Sequence, residues 1–286
     1  MENWKNLIAQ TTFRYIDHSS TKIFDQEAYT ALHSFAIDDA LALSVSDQLS
    51  PPTMRLWVHS NTIVLGIPDA KLPYINEGVQ QLQQAGFHVV IRNSGGLAVA
   101  LDNGVLNISL IFPDVKKLSI HEGYEAMVSF VQYMLRDLTA DIKAYEIVHS
   151  YCPGDYDLSI NGKKFAGISQ RRVKDGAAVQ IYLDVEGNSY KRASVIRDFY
   201  MTSKKGEPTK FSYPMVDPNV MSSLSELLQT PLTVKDIKIR AMNALLEVCE
   251  HVIEKDFTQT EYAHYRKRLA QMKKRNEPII LGIEDS

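Results

Sequence analysis

YDLSINGKKFAGISQRRVKDGAAVQIYLDV, residues 156–185, carries the plainest structural signal in the chain. Three β-prone runs, YDLSI, KKFAGIS and AAVQIYLDV, are separated by Asn161-Gly162 and by Lys174-Asp175-Gly176. Asn-Gly between such runs signals a two-residue hairpin, because both turn positions need φ > 0 and these residues reach it at least cost. Three consecutive antiparallel strands follow. The turn length also sets the register: Ser159 falls opposite Lys164 and Ile160 opposite Lys163, so the two lysines point to opposite faces. Lys164 is the candidate for a site, since Ala166 and Gly167 close by let a ligand approach the backbone. The alternative is a pair of solvated lysines near a turn.

Outward from this sheet the elements alternate in type. Residues 26–49 read as a helix with Ala31, Leu32, Phe35 and Ala36 on a buried face, ended by Pro51-Pro52. MRLWVHSNTIVLG (54–66) reads as β structure, 73–85 as a helix stopping at Gly86, and FHVVIR as a strand. AVALDNGVLNISLIF (98–112) places two β-prone runs around Asp102-Asn103-Gly104 and predicts another hairpin. Tyr124, Met127, Val128, Val131, Leu135 and Leu138 recur at three- and four-residue spacing, one apolar helix face to lay on a sheet. From about residue 219 the pattern turns helical. With no internal repeat or low-complexity linker, the expectation is an α/β (α+β) fold with mixed sheets built from hairpins, plus C-terminal helices.

Of 286 residues 45% are hydrophobic and 23% charged, with a formal net charge of −3, so a sizeable core is available. That charge gives no general attraction to nucleic acid or acidic membranes, leaving small molecules and proteins as expected partners. The clusters Arg266-Lys267-Arg268 and Lys273-Lys274-Arg275 read as a solvated helix face. Met1–Gln10 lacks a basic start followed by an apolar stretch, and no long apolar run occurs elsewhere, so a soluble, cytoplasmic protein is expected. The two cysteines, far apart, make neither a disulfide framework nor a CxxC metal site.

The cysteines differ in context. Met242, Leu245, Leu246, Cys249 and Ile253 lie on one helical stripe, so Cys249 reads as core. Cys152, in SYCPGDYDL, has Pro153 biasing it toward extended backbone, Gly154 permitting a bend, and polar neighbours, which suits a thiol presented on a turn. A buried, inert cysteine is the plainer alternative. Lysine nearby favours the thiolate, the nucleophilic form, and Lys164 lies across the Asn161-Gly162 turn. His149 is the other basic side chain close in sequence, ranked below Lys164. RNSGGLAVALDNG (92–104) fits neither GxxxxGK[ST] nor GxGxxG, so phosphate binding is not indicated. Arg92, Ser94 and the Gly95 and Gly96 amides could donate to some other ligand, or the pair could be a plain bend.

Together, Arg92-Asn93-Ser94-Gly95-Gly96, Asp102-x-Gly104 and Gly162-Lys163-Lys164-Phe165-Ala166-Gly167 followed by Gln170-Arg171 resemble, in order and spacing, the lipoate-protein ligase and octanoyltransferase superfamily, over roughly residues 25–230. Ser150–Leu158 looks most like the octanoyl-[glycine cleavage H protein]:protein N-octanoyltransferase branch, the lipoyl amidotransferases. The resemblance implies a biotin- and lipoate-protein-ligase-like catalytic domain. It implies one catalytic unit over 1–286, with an acyltransferase core over about 25–230 and a C-terminal helical segment over about 231–286. It also implies Cys152 and Lys164 as catalytic residues, an acyl-thioester on Cys152, and substrate binding by Arg92, Ser94, Gly95, Gly96, Ala166 and Gly167. The implied donor is the octanoylated H protein and the implied acceptors are lipoyl domains of 2-oxoacid dehydrogenase acyltransferase subunits, with no cofactor and no metal. Ligases of this superfamily usually carry a third glycine where Leu97 stands and commonly a histidine where Leu101 stands, which argues against ATP-dependent ligation. Rival readings are octanoyl transfer from acyl carrier protein, a lipoate ligase, and a non-catalytic lipoyl-domain or acyl-carrier binder.

Overall fold

The computed structural model describes residues 11–20 and 29–281, the last three as backbone. The sequence readings that fall on 1–10, 26–28 and beyond 281 lie outside the described residues. In chain order the strands are β1 (Thr12–His18), β2 (Thr53–Trp57), β3 (Thr62–Leu65), β4 (His88–Ile91), β5 (Val99–Leu101), β6 (Val105–Phe112), β7 (Lys143–Ala144), β8 (Leu158–Ile160), β9 (Lys163–Val173), β10 (Gly176–Asp184) and β11 (His251–Glu254). The helices are α1 (Ala31–Ser46), α2 (Ile75–Gln84), α3 (Ile120–Met134), α4 (Ser189–Lys204), α5 (Leu224–Leu227), α6 (Val234–Val248) and α7 (Gln259–Leu281). Among the described residues no helix is long and apolar enough to cross a membrane.

Two sheets carry the molecule. One has eight strands in the order β11-β1-β2-β6-β10-β9-β8-β7, and the other has three, β4-β3-β5. The large sheet is mixed: β1 runs parallel to both β2 and β11, and the remaining pairs are antiparallel. Its centre is covered on both faces, which is why β10, GAAVQIYLD, is buried along its whole length. On one face α3 and α6 enclose a core of Leu106, Ile108, Leu110, Met127, Phe130, Val131, Ile181 and Leu245. On the other, α1, α4 and the small sheet enclose Phe35, Leu41, Val64, Val99, Ile196 and Phe199. α1 is sandwiched between the large sheet and α7, which accounts for burial around nearly its whole circumference.

The β8–β9–β10 hairpins form as expected. Asn161 (φ 52°) and Gly162 (φ 74°) occupy the left-handed turn, and Ser159 pairs with Lys164 and Ile160 with Lys163. α3 presents the expected apolar face and starts in a capping box, Ser119 Oγ accepting from Glu122 N while Glu122 Oε2 accepts from Ser119 N. It ends at Met134, so Leu135 and Leu138 lie beyond it.

Other expectations are corrected. Residues 98–112 do form two strands, but not a hairpin: β5 pairs with β3 in the small sheet, and β6 pairs with β2 and β10 in the large one. Neither Asn103 nor Gly104 has the positive φ a two-residue hairpin turn needs. Val105 N donates to Asp102 O (3.0 Å) and Gly104 N to Asp102 Oδ1 (2.8 Å), and this turn carries the chain from one sheet to the other. Arg192 holds the crossing, reaching Asp102 on one side and Asp184 on β10 (2.7 Å) on the other. The stretch 54–66 is two strands in different sheets, broken near Asn61, which has φ 36°. α1 ends at Ser46, well before the prolines. The region beyond 219 contains strand β11 as well as helices, and β1 is a strand that the patterning did not signal. Cys249 is buried as expected, but it caps α6, and its stripe-mates Leu246 and Ile253 are exposed.

Candidate active site

Three segments converge on Cys152. The first is the loop after β4, where Gly96 takes φ 101° and a β-carbon would stand 2.9 Å from Cys152 Sγ and 2.2 Å from Arg92 Nη2. Only glycine fits there, because the thiol and the guanidinium occupy the space. The second is the turn bearing Cys152 itself, at φ 47°, a conformation that residues with a β-carbon rarely adopt. The third is β9, which brings Lys164 beneath that turn.

Sγ of Cys152 accepts from Leu97 N (3.1 Å) and from Arg92 Nη2 (3.4 Å), and Arg92 Nη2 also donates to Leu97 O (2.8 Å). A backbone amide and a guanidinium therefore place positive charge beside the sulfur, an arrangement suited to a thiolate nucleophile. Lys164 is fully buried. Its Nζ donates to Cys152 O (2.9 Å), Tyr151 O (2.9 Å) and Ser150 Oγ (3.2 Å), and pairs with Asp157 Oδ1 (2.8 Å). The ammonium thus grips the backbone around the cysteine through carbonyl, hydroxyl and carboxylate oxygens. Burial raises the Asp157 carboxyl above its ordinary value; Lys164 and the amides of Ile147 and Gly154 pull the other way without cancelling it.

Behind the glycine loop sits a second buried carboxyl. Asp69 accepts from Gly66 N (2.7 Å) and Tyr200 OH (2.9 Å), and Tyr200 OH in turn accepts from Ala98 N (3.2 Å), adjacent to the Leu97 amide that reaches the sulfur. Burial outweighs these donors and the nearby Arg92 charge, holding Asp69 up at about 6.

Cys152 opens on a cavity of about 290 Å³. Phe35, Trp57, Val64, Val99, Leu101 and Tyr182 give it an apolar interior; His121, Tyr124, Asp155 and Tyr156 line it as well. Tyr124 and Tyr156 pack with ring centroids 5.0 Å apart, and His121 Nδ1 lies 3.0 Å from Tyr156 OH. An apolar interior with a few placed polar groups suits an acyl chain ending in a polar carbonyl.

Of the residues picked out in the sequence, Cys152, Arg92, Gly95, Gly96 and Gly167 line this cavity. Lys164 contacts the cysteine backbone from beneath. Ser94 and Ala166 are buried outside the lining, Ala166 in the core shared with α3. Leu101 lines the cavity, while Leu97 contributes its amide. His149 is exposed with Nδ1 3.1 Å from Met215 O, and it does not line the cavity. Trp57, Tyr124, Gln180 and Tyr182 carried no local motif. Their only sequence signal was alternation along strands or position on a helix face, which marks burial and not a ligand.

Residues 30–246 match the lipoyl protein ligase A/B catalytic domain. The chain is 61% identical to the octanoyl-[GcvH]:protein N-octanoyltransferase of Oceanobacillus iheyensis, covering 97% of this chain and 99% of that one. It is 49% identical to the enzyme of the same name from Anoxybacillus flavithermus, covering 96% and 98%. Among solved structures it is similar in fold to a lipoate protein ligase of T. acidophilum with bound lipoic acid, with a TM-score of 0.68 at 16% identity over 91% of this chain and 95% of that one. A lipoate-ligase-like fold, a cysteine facing an apolar slot and 49–61% identity to named acyltransferases over nearly the full length agree: the chain belongs to the octanoyl-[GcvH]:protein N-octanoyltransferase family, enzymes built on the lipoyl protein ligase A/B catalytic domain.

Proposed function

We propose that this enzyme, working in the cytoplasm, takes an octanoyl or lipoyl group from the lysine of the glycine cleavage H protein onto Cys152 as a thioester, then passes it to the lysine of lipoyl domains of 2-oxoacid dehydrogenase acyltransferase subunits. The observation that carries this reading is the Cys152 sulfur, which accepts N–H donors from Leu97 and Arg92 at the wall of an apolar cavity. The names of the relatives support the H protein as donor. Donor and acceptor are both lysines on proteins, and a covalent intermediate lets one site serve them in turn.

In the first half-reaction the Cys152 thiolate adds to the amide carbon, a C–S bond forms, the C–N bond breaks, and the departing lysine amine gains a proton. In the second, the acceptor amine adds to the thioester carbon, gives up a proton, and expels the thiolate. Lys164 fixes the Cys152 carbonyl and, in this proposal, lends the departing amine its proton and recovers one from the incoming lysine. Arg92, Gly95 and Gly96, which line the cavity, and Ser94 beside them hold the acyl oxygen. Gly167 leaves the slot open beside Tyr182, and the neighbouring Ala166 packs beneath it. Amide is exchanged for amide, so the transfer needs no nucleotide and runs in both directions.

The test is transfer to a lipoyl domain, without ATP, from octanoylated H protein and from octanoyl acyl carrier protein, beside free octanoate supplied with ATP. Efficient transfer from the H protein supports the proposal. Transfer only from acyl carrier protein, or only from octanoate with ATP, contradicts it.

A further inference from the structure

Behind the Gln180 and Ser169 wall of the acyl cavity lies a buried charged cluster. Phe35 of α1 and Trp57 of the large sheet pack edge to face, with ring centroids 5.8 Å apart, and both line the cavity. Farther along the helix α1 and the sheet are in close contact: a β-carbon on Gly176 would stand 2.0 Å from Ala42 O, and Ala178 is fully buried. Between these points Asp38 reaches from the helix to the sheet. Its Oδ2 accepts from Gln180 Nε2 (2.6 Å) and Ser109 Oγ (2.6 Å), and its Oδ1 from Arg55 Nε (2.7 Å).

Register places this cluster at a defined depth. Gly167, Tyr182, Asn107 and Trp57 are cross-strand neighbours in one row, and that row lies next to the cysteine turn: Tyr151 packs on Tyr182 with centroids 5.7 Å apart, and Lys164 Nζ is 6.0 Å from the Tyr182 ring. The next row on the same face is Ser169, Gln180, Ser109 and Arg55, all polar. Two residues of strand separate the rows by about 6.6 Å. An extended eight-carbon chain, with bonds of about 1.5 Å, spans roughly 9 Å, enough to leave the cysteine, pass the first row and meet the second.

We infer that Gln180, clamped by Asp38, is the stop against which the far end of the acyl chain rests, and that it sets the chain length this enzyme transfers. This rests on the reading that Cys152 carries the acyl group. Gln180 lines the cavity and is 5% exposed, and its amide is committed to a buried carboxylate. Moving it aside for a longer chain would break a charge-assisted hydrogen bond where no water can replace it. Nothing on the chain side offers it a substitute partner, because the tail of a saturated acyl group has no polar atom.

The experiment supplies H protein carrying hexanoyl, octanoyl, decanoyl or dodecanoyl groups to the wild type and to Gln180→Ala, Gln180→Asn and Gln180→Leu. It reads the rate of transfer and the mass of the thioester on Cys152. The wild type is expected to peak at octanoyl. The decanoyl-to-octanoyl rate ratio should rise roughly tenfold or more in Gln180→Ala, in line with the worth of a methylene in an apolar pocket, and by less in Gln180→Asn. Gln180→Leu keeps the volume but loses the hydrogen bond to Asp38, so its ratio should also rise, by less than in Gln180→Ala. An unchanged ratio in Gln180→Ala and Gln180→Asn, with octanoyl thioester still forming, overturns the stop alone. A wild type that forms no octanoyl thioester from any donor overturns the reading of Cys152 and the stop with it.

Discussion

At the scale of single residues, the site stores strain in Cys152 and meets it with Lys164. A left-handed cysteine costs on the order of 1–3 kcal/mol, and it persists because the surrounding contacts over-determine it. Three of those contacts are hydrogen bonds from one ammonium to Ser150, Tyr151 and Cys152, with Asp157 holding the ammonium in place. Lys164→Met would remove all of them and leave Asp157 buried without its cation, a loss of about 3–5 kcal/mol. In a chain of this length that lowers the melting temperature by roughly 5–15 °C. Differential scanning calorimetry checks the stability and a transfer assay checks the activity, which should be lost even at temperatures where the variant stays folded. A Lys164→Met enzyme that melts and transfers like the wild type would contradict the role given to this residue.

At the scale of elements, the decisive feature is the crossing between sheets at Asp102–Gly104. Arg192 joins the two sheets there by pairing with Asp102, Asp184 and the Glu186 carbonyl. Arg192→Leu leaves Asp184 fully buried and unpaired, and a destabilisation of about 3–5 kcal/mol is expected in chemical denaturation. The crossing also shows which parts of the fold the sequence reveals. Asn161-Gly162 is legible because a two-residue turn with positive φ determines the pairing of its own flanks. Asp102-Asn103-Gly104 looks like the same signal, but whether its flanks pair with each other is decided by β3, β2 and β10, which lie far away in the chain. β1 and β11 were illegible for a related reason. They pair in parallel across some 240 positions, and β1 buries Arg14, whose charge disguises a strand until Glu261 is seen beside it (2.6 Å). The site divides in the same way. Cys152, Arg92, the glycine pair and Lys164 stand in compact motifs, whereas the walls come singly from strands and helices whose residues alternate like any core.

At the scale of the whole molecule, α7 binds distant parts together. Glu261 takes Arg14 of β1, and Asn276 closes the free edge of β4, its Oδ1 accepting from Ile91 N (2.7 Å) and its Nδ2 donating to Ile91 O (3.1 Å), immediately before Arg92. Stability as a whole should also carry a pH signature. Burial holds both Asp69 and Asp184 up at about 6 in the folded enzyme, against a value near ~3.9 when unfolded. The folded state therefore keeps these protons where the unfolded chain has lost them. Their contribution is fully present below about pH 4 and is lost as pH rises through about 6. Asp17 and Glu261, whose carboxyls are held below their ordinary values by Lys238 and Ser19 and by Arg14 and Thr258 despite the opposing effect of burial, act in the opposite sense. Comparison with a single variant isolates one group. The stability of Asp69→Asn relative to the wild type should improve by roughly 1–3 kcal/mol between pH 4 and pH 7. A difference that does not change with pH would mean that Asp69 is ionised in the folded protein throughout that range.

Covalent transfer through Cys152 leaves a mass signature that intact-protein mass spectrometry can read. Wild-type enzyme mixed with octanoylated H protein, without ATP, should gain the mass of one octanoyl group, released by hydroxylamine as expected for a thioester, and Cys152→Ala should gain nothing. An adduct that survives in Cys152→Ala, or no adduct in a wild type that still transfers octanoyl to a lipoyl domain, would contradict catalysis through Cys152.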